Sequence, residues 1–137
     1  MRDETTQLVR QIGSVLRRYP AVEAAFLFGS HAEGRADERS DVDLALVGPA
    51  EVLRPAKLDL LADLVAAGLD RVDLVFLEEA DLTLRFEAVR LNFLVYAKAD
   101  FDRGSYFSRT VREYFDFEPY LRIQREALKR QILHGQA

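Results

Sequence analysis

Val22-Glu23-Ala24-Ala25-Phe26-Leu27-Phe28-Gly29-Ser30, followed after ten residues by Asp41-Val42-Asp43-Leu44-Ala45-Leu46-Val47, is the stretch on which the fold turns. The first run is short, apolar and ends at a glycine, which reads as a buried strand delivering a tight turn. Gly29 lets backbone approach a ligand closely, and Ser30 offers a hydroxyl and a main-chain N-H at a helix start, a geometry that suits a phosphate anion. The second run is a strand headed by two acids. A strand's two-residue period puts Asp41 and Asp43 on one face and Val42 and Leu44 on the other.

Two carboxylates that close repel each other unless a cation lies between them. Magnesium suits such a pair, because it takes hard oxygen ligands from one or two carboxylates and completes its shell with water and substrate phosphates. A third acid joins them. Asp73 is the one charge inside the apolar run Val72-Asp73-Leu74-Val75-Phe76-Leu77. Alone it would read as a strand-entrance acid paired with Arg71 or a backbone amide; beside a metal-type pair it is expected as third ligand and as the group that helps deprotonate an incoming hydroxyl.

Gly29-Ser30, Gly34 and Ser40-Asp41-Val42-Asp43-Leu44, followed by an Asp-bearing strand, resemble the minimal nucleotidyltransferases of the polymerase-beta type superfamily. Within it the chain is most similar to the adenylyltransferase antitoxins encoded beside a HEPN-domain toxin. The likeness extends to Leu84-Arg85-Phe86-Glu87 and to Arg112-Glu113-Tyr114-Phe115-Asp116-Phe117, and no motif position departs from the pattern.

The resemblance implies an α/β nucleotidyltransferase fold, a small mixed twisted sheet with its carboxylates on one open face and helices packed on the other side. It implies transfer of AMP from ATP onto a hydroxyl, a tyrosine of the cognate HEPN ribonuclease toxin, with release of pyrophosphate. Asp41, Asp43 and Asp73 would be the catalytic residues and hold two magnesium ions; Gly29, Ser30 and Ser40 would bind the nucleotide. The partners implied are ATP and the toxin, in a hetero-oligomer, without nucleic acid or membrane. Two alternatives stand beside this: transfer to a small molecule such as an aminoglycoside, for which the chain has little length left, and a binding-only antitoxin, which would not need three mutually repelling acids.

Composition agrees with this class. The 137 residues are 49% hydrophobic and 31% charged, enough for one core, and 1–137 reads as a single domain with an aromatic helical segment from about 101. A net charge of −4 argues against a general nucleic-acid binder. There is no cysteine, so no disulfide or thiolate metal site, and the acid-bearing N-terminus has no apolar signal core; a soluble, cytoplasmic protein is expected.

Leu8, Val9, Ile12, Val15, Leu16 and Tyr19 follow helical spacing up to Pro20. Glu51 to Ala67 reads as one helix with Pro55 in its first turn and Gly68 at its end. A short helix is expected over Thr83 to Arg90, a strand over Phe93 to Tyr96, and helix from Phe101 onward. That last segment holds seven of the fourteen aromatics, Phe101, Tyr106, Phe107, Tyr114, Phe115, Phe117 and Tyr120, which suit either core or a partner-facing patch. His31 follows the Gly-Ser pair and could touch a nucleotide but reads first as a solvated loop residue; Arg35, Glu38 and Arg39 read as a charged turn, with Arg35 the one that could reach a phosphate.

Overall fold

The computed structural model describes residues 3–36 and 41–134. Its order is α1 (Asp3–Leu16), β1 (Ala24–Phe28), α2 (Gly29–Ala32), β2 (Val42–Val47), α3 (Ala50–Leu53), α4 (Lys57–Ala66), β3 (Val72–Phe76), a 3-10 turn (Leu77–Glu79), α5 (Leu82–Val89), β4 (Leu94–Ala97) and α6 (Arg103–Leu133). Four strands form one mixed sheet in the order β3-β2-β1-β4. β1 runs antiparallel to β2 and β4, while β2 and β3 are parallel. The expected α/β class and mixed sheet are what the chain adopts.

Alternation along β2 divides the interior. Val42, Leu44 and Leu46 face a core that also takes Ile12, Val15 and Leu16 from α1 and Leu60 and Leu64 from α4. Each of those α1 and α4 side chains is fully buried, which stabilises the fold by about 1.5–3 kcal/mol apiece. Ala45 and Val47 face the other way, into a smaller core with Phe26, Leu77, Ala88 and Val89, closed by Phe101, Tyr106 and Phe107. So α5 and the first turns of α6 also cover part of the carboxylate face, which the sequence reading leaves open.

The helix expected from Glu51 to Ala67 is two helices. Pro55 lacks an N-H and its ring excludes the helical carbonyl four residues back, so α3 stops at Leu53. A tight turn, with the Ala56 N-H donating to the Leu53 carbonyl at 3.0 Å, restarts the chain as α4. α1 likewise ends before Pro20, and Tyr19 lies in the turn after it. Its phenol donates to Asp63 Oδ2 of α4, and burial together with that bond pushes the hydroxyl up to about 12. Among the described residues no helix is long and apolar enough to cross a membrane.

Candidate active site

Strand register assembles the site. Asp43 pairs with Phe28 across the antiparallel β1–β2 ladder and with Asp73 across the parallel β2–β3 ladder. Register partners in neighbouring strands share a face, so Asp43 and Asp73 stand side by side at the strand entrances. Asp41 is exposed immediately before β2. Asp43 and Asp73 thus share a face at one end of the sheet, and Asp41 lies near enough for its charge to act on Asp43. Ser40 lies outside the described residues, as do Glu38 and Arg39.

Gly29 closes the site from above. Because Phe28 pairs with Asp43, the next residue passes over the Asp43 side chain. A methyl on Gly29 would overlap Asp43 Oδ2 and lie 3.1 Å from its carboxyl carbon. Gly29 also holds φ at +71°, where side-chain-bearing residues are strained. Two independent constraints thus demand glycine here. Ser30 follows within the four-residue α2, and the Arg35 N-H donates to the Ser30 carbonyl at 2.9 Å, folding the turn back on itself.

The electrostatics centre on Asp43. Its half-buried carboxyl is pushed above the usual carboxylate range by burial first, then by the charges of Asp73 and Asp41, with His31 acting in the opposite direction. His31, expected as a solvated residue, is thus electrostatically coupled to Asp43 because α2 carries it over the same strand end; nothing in its local sequence announces this. Among the described residues no three His, Cys, Asp or Glu side chains converge as a ready-made metal cage.

Arg35 is not turned to an open phosphate site: it pairs with Glu33 at 2.9 Å. Glu33 is lowered chiefly by that hydrogen bond and also meets Arg90, which in turn holds Glu87 at 3.0 Å. This chain of charges ties the α2 turn to the end of α5. It was not visible in the sequence, since its members lie more than fifty residues apart. A cavity of about 520 Å³ opens elsewhere, lined by Val47, Gly48, Arg85, Asp102, Tyr106 and Arg109 among others. It shares no residue with the aspartates or Gly29, and in its wall Arg85 and Arg109 both approach Glu113.

Solved structures resemble the chain over most of its length. A crystal structure of a toxin-antitoxin with AMP-PNP is 25% identical, with a TM-score of 0.71 over 91% of this chain and 98% of that one. A toxin-antitoxin MntA-HepT structure is 23% identical, at a TM-score of 0.65, covering 92% and 97% of the two chains. A third, a tri-AMPylated Shewanella oneidensis HEPN toxin in complex with MNT antitoxin, gives 23% and 0.66, covering 92% and 96%. No curated protein matches the chain. The family model described as "Polymerase beta, Nucleotidyltransferase" matches residues 10–101, a span that holds the whole sheet, Gly29 and all three aspartates. With well over half of its length inside that match, the chain belongs to the polymerase beta nucleotidyltransferase family.

Proposed function

We propose that the protein is a minimal nucleotidyltransferase that moves AMP from ATP onto a tyrosine hydroxyl of a cognate HEPN ribonuclease toxin and thereby acts as its antitoxin. The observation that carries this reading is the register that sets Asp43 beside Asp73, with Asp41 at the strand entrance and the Asp43 carboxyl against Gly29. The toxin-antitoxin structure with AMP-PNP supports the nucleotide. The complex of an MNT antitoxin with a tri-AMPylated HEPN toxin supports the acceptor.

Magnesium fits the donor set. All three candidate ligands are hard carboxylate oxygens, and the Asp43 carboxyl, raised first by burial and then by the charges of Asp73 and Asp41, is one whose ionised form a cation would favour. Magnesium takes one or two carboxylates and leaves the rest of its shell to phosphates and water. When bound, magnesium supplies neutralisation of triphosphate charge and polarisation of the reacting phosphoryl group.

In this reading Asp41 and Asp43 would hold two magnesium ions and Asp73 would join them as a further ligand. Asp73, exposed on the shared face, also accepts the proton of the incoming hydroxyl. The acceptor oxygen bonds to the α-phosphorus, the bond from that phosphorus to the α–β bridging oxygen breaks, and pyrophosphate leaves. Gly29 and the Ser30 hydroxyl and N-H bind the leaving phosphates, with Ser40 as a further nucleotide contact. Residues 1–137 act as one catalytic unit with α6 as its helical extension, in the cytoplasm.

Labelled ATP tests the reaction. With magnesium and the toxin, label on the α-phosphate is expected to pass to the toxin and label on the γ-phosphate to appear in pyrophosphate. Transfer of γ-label to the toxin would make the protein a kinase and overturn the proposal.

A further inference from the structure

The turn that brings Ser30 to the site is held at one end by β1 and has little packing of its own. α2 is a single turn, Gly29–Ala32, with no side-chain cap bond at Phe28 and no buried residue. Its backbone closes on itself, the Glu33 N-H donating to the Gly29 carbonyl at 3.1 Å and the Arg35 N-H to the Ser30 carbonyl at 2.9 Å. Those bonds give the turn its shape. The angle at which it leaves the strand, and with it the place of Ser30, depends on what holds the far end, where Ala32 rests part-buried against the larger core and Glu33 follows it.

α5 is the firmer element. Asp81 caps it by accepting from the Leu84 N-H at 2.8 Å. Ala88 and Val89 are buried in the smaller core, and Phe86 stacks on Tyr114 of α6 at 4.1 Å. Arg90 follows directly on those buried residues and closes the helix, its N-H donating to the Phe86 carbonyl at 2.8 Å. Its side chain therefore starts from a fixed point, and its guanidinium meets Glu87 at 3.0 Å and Glu33 at 3.4 Å.

Glu33 is gripped on both oxygens, Oε1 by Arg90 and Oε2 by Arg35 at 2.9 Å. Arg35 belongs to the same loop, so of the two only Arg90 reaches it from another element. With side chains 26% and 33% exposed, the Glu33–Arg90 pair contributes little to global stability. Its leverage is positional. Gly29 lies so near the Asp43 carboxylate that an added methyl would overlap Oδ2, and a misplacement of about 1 Å at the reacting groups is enough to reduce a rate on the order of 100-fold.

Resting on the function proposed above, we infer that Arg90 is a positioning residue for AMP transfer: acting through Glu33, it ties the far end of the α2 turn to α5 and so sets where Ser30 meets the triphosphate.

The test compares the parent with Arg90→Gln, Glu33→Gln, Glu33→Gln/Arg90→Gln and Glu87→Gln, the last removing a partner of Arg90 on its own helix and leaving the cross-pair in place. In AMP transfer to the HEPN-domain toxin with ATP varied, kcat/KM for ATP should fall at least tenfold in Arg90→Gln and in Glu33→Gln. The double variant should lose no more than a further threefold, because both changes break one tie, and Glu87→Gln should stay within threefold of the parent. Melting temperatures should fall by no more than about 5 °C. In the free protein, hydrogen exchange at the Glu33 and Arg35 amides should be at least fivefold faster in Arg90→Gln, with exchange at Leu44 in β2 unchanged. Near-parental transfer by Arg90→Gln, or losses that multiply in the double variant, overturns the inference and leaves the proposed reaction standing. Reduced transfer with parental exchange at the turn would mean that Arg90 meets the substrate itself, and a larger fall in melting temperature that it supports the fold; either also overturns it. A parent that transfers no AMP removes the reaction and the part of Arg90 in it together.

Discussion

Gly29→Ala probes the site where two constraints meet. The added methyl must adopt a φ of +71° and displace the Asp43 carboxylate, whose Oδ2 it would overlap. Left-handed backbone costs an L-residue about 1–2 kcal/mol. For a chain of this size each kcal/mol lowers the melting temperature by about 3–6 °C, so a fall of roughly 3–12 °C is expected from the backbone alone. The carboxylate can escape only by turning away from the face it shares with Asp73, and a displacement of about 1 Å in a catalytic group is enough to reduce the rate on the order of 100-fold. Thermal unfolding of Gly29→Ala in the parent and in an Asp43→Ala background separates the two contributions, and AMP transfer is read in the parent background. The strain of φ persists in both backgrounds; the clash vanishes in the second, leaving a coupling of about 0.5–3 kcal/mol between the positions. Parental activity in Gly29→Ala, or an identical stability loss in both backgrounds, would refute the close approach of Gly29 to Asp43.

Other outcomes follow from the same geometry. The Asp43 carboxyl is raised on folding, so the folded state holds its proton more tightly than the unfolded one, and ionising it costs stability as pH rises through the folded value. In magnesium-free buffer Asp43→Asn should therefore melt higher than the parent at pH 7, with the advantage disappearing as pH falls toward the ordinary carboxylate range near 3.8; a lower melting temperature at pH 7 would show the acid to be structural. Asp73→Ala should lose most turnover yet keep ATP affinity in calorimetry, because Asp41 and Asp43 remain to hold the cation, and near-parental turnover would remove it from the catalytic set. Tyr114→Ala, which unstacks Phe86, should lower the melting temperature clearly, whereas Tyr120→Ala, 63% exposed, should stay within about 0.5 kcal/mol of the parent; equal losses would mean the whole aromatic segment is core.

Period-two alternation and turn residues made the sheet legible: the runs ending at Phe28, Val47 and Phe76 are strands because each is short, apolar and bounded by Gly29, Gly48 or a polar loop. Asp43 was legible for the same reason, lying on the strand face opposite Val42 and Leu44, whereas Asp41 lies just before β2, outside the reach of its period. That Asp73 stands opposite Asp43 is a matter of register, fixed by long-range pairing. Local composition also misled at Pro55, where a continuous helical pattern hid a break that tertiary packing of Leu53 and Leu60 accommodates. The aromatics after Phe101 could not be sorted by type, because Tyr106 and Tyr120 differ only in whether another element lies opposite them on α6. His31 and the Glu33–Arg90 link arise from charges far apart in sequence, for which no local pattern exists.

In the proposed reaction the aspartates at the starts of β2 and β3 transfer AMP to a protein acceptor. Intact-mass measurement of the toxin after incubation with this protein, magnesium and ATP tests it most directly. A mass gain of one or more AMP units is expected with the parent and none with Asp41→Asn or Asp43→Asn. An unmodified toxin with the parent, or the same gain with either variant, would contradict it.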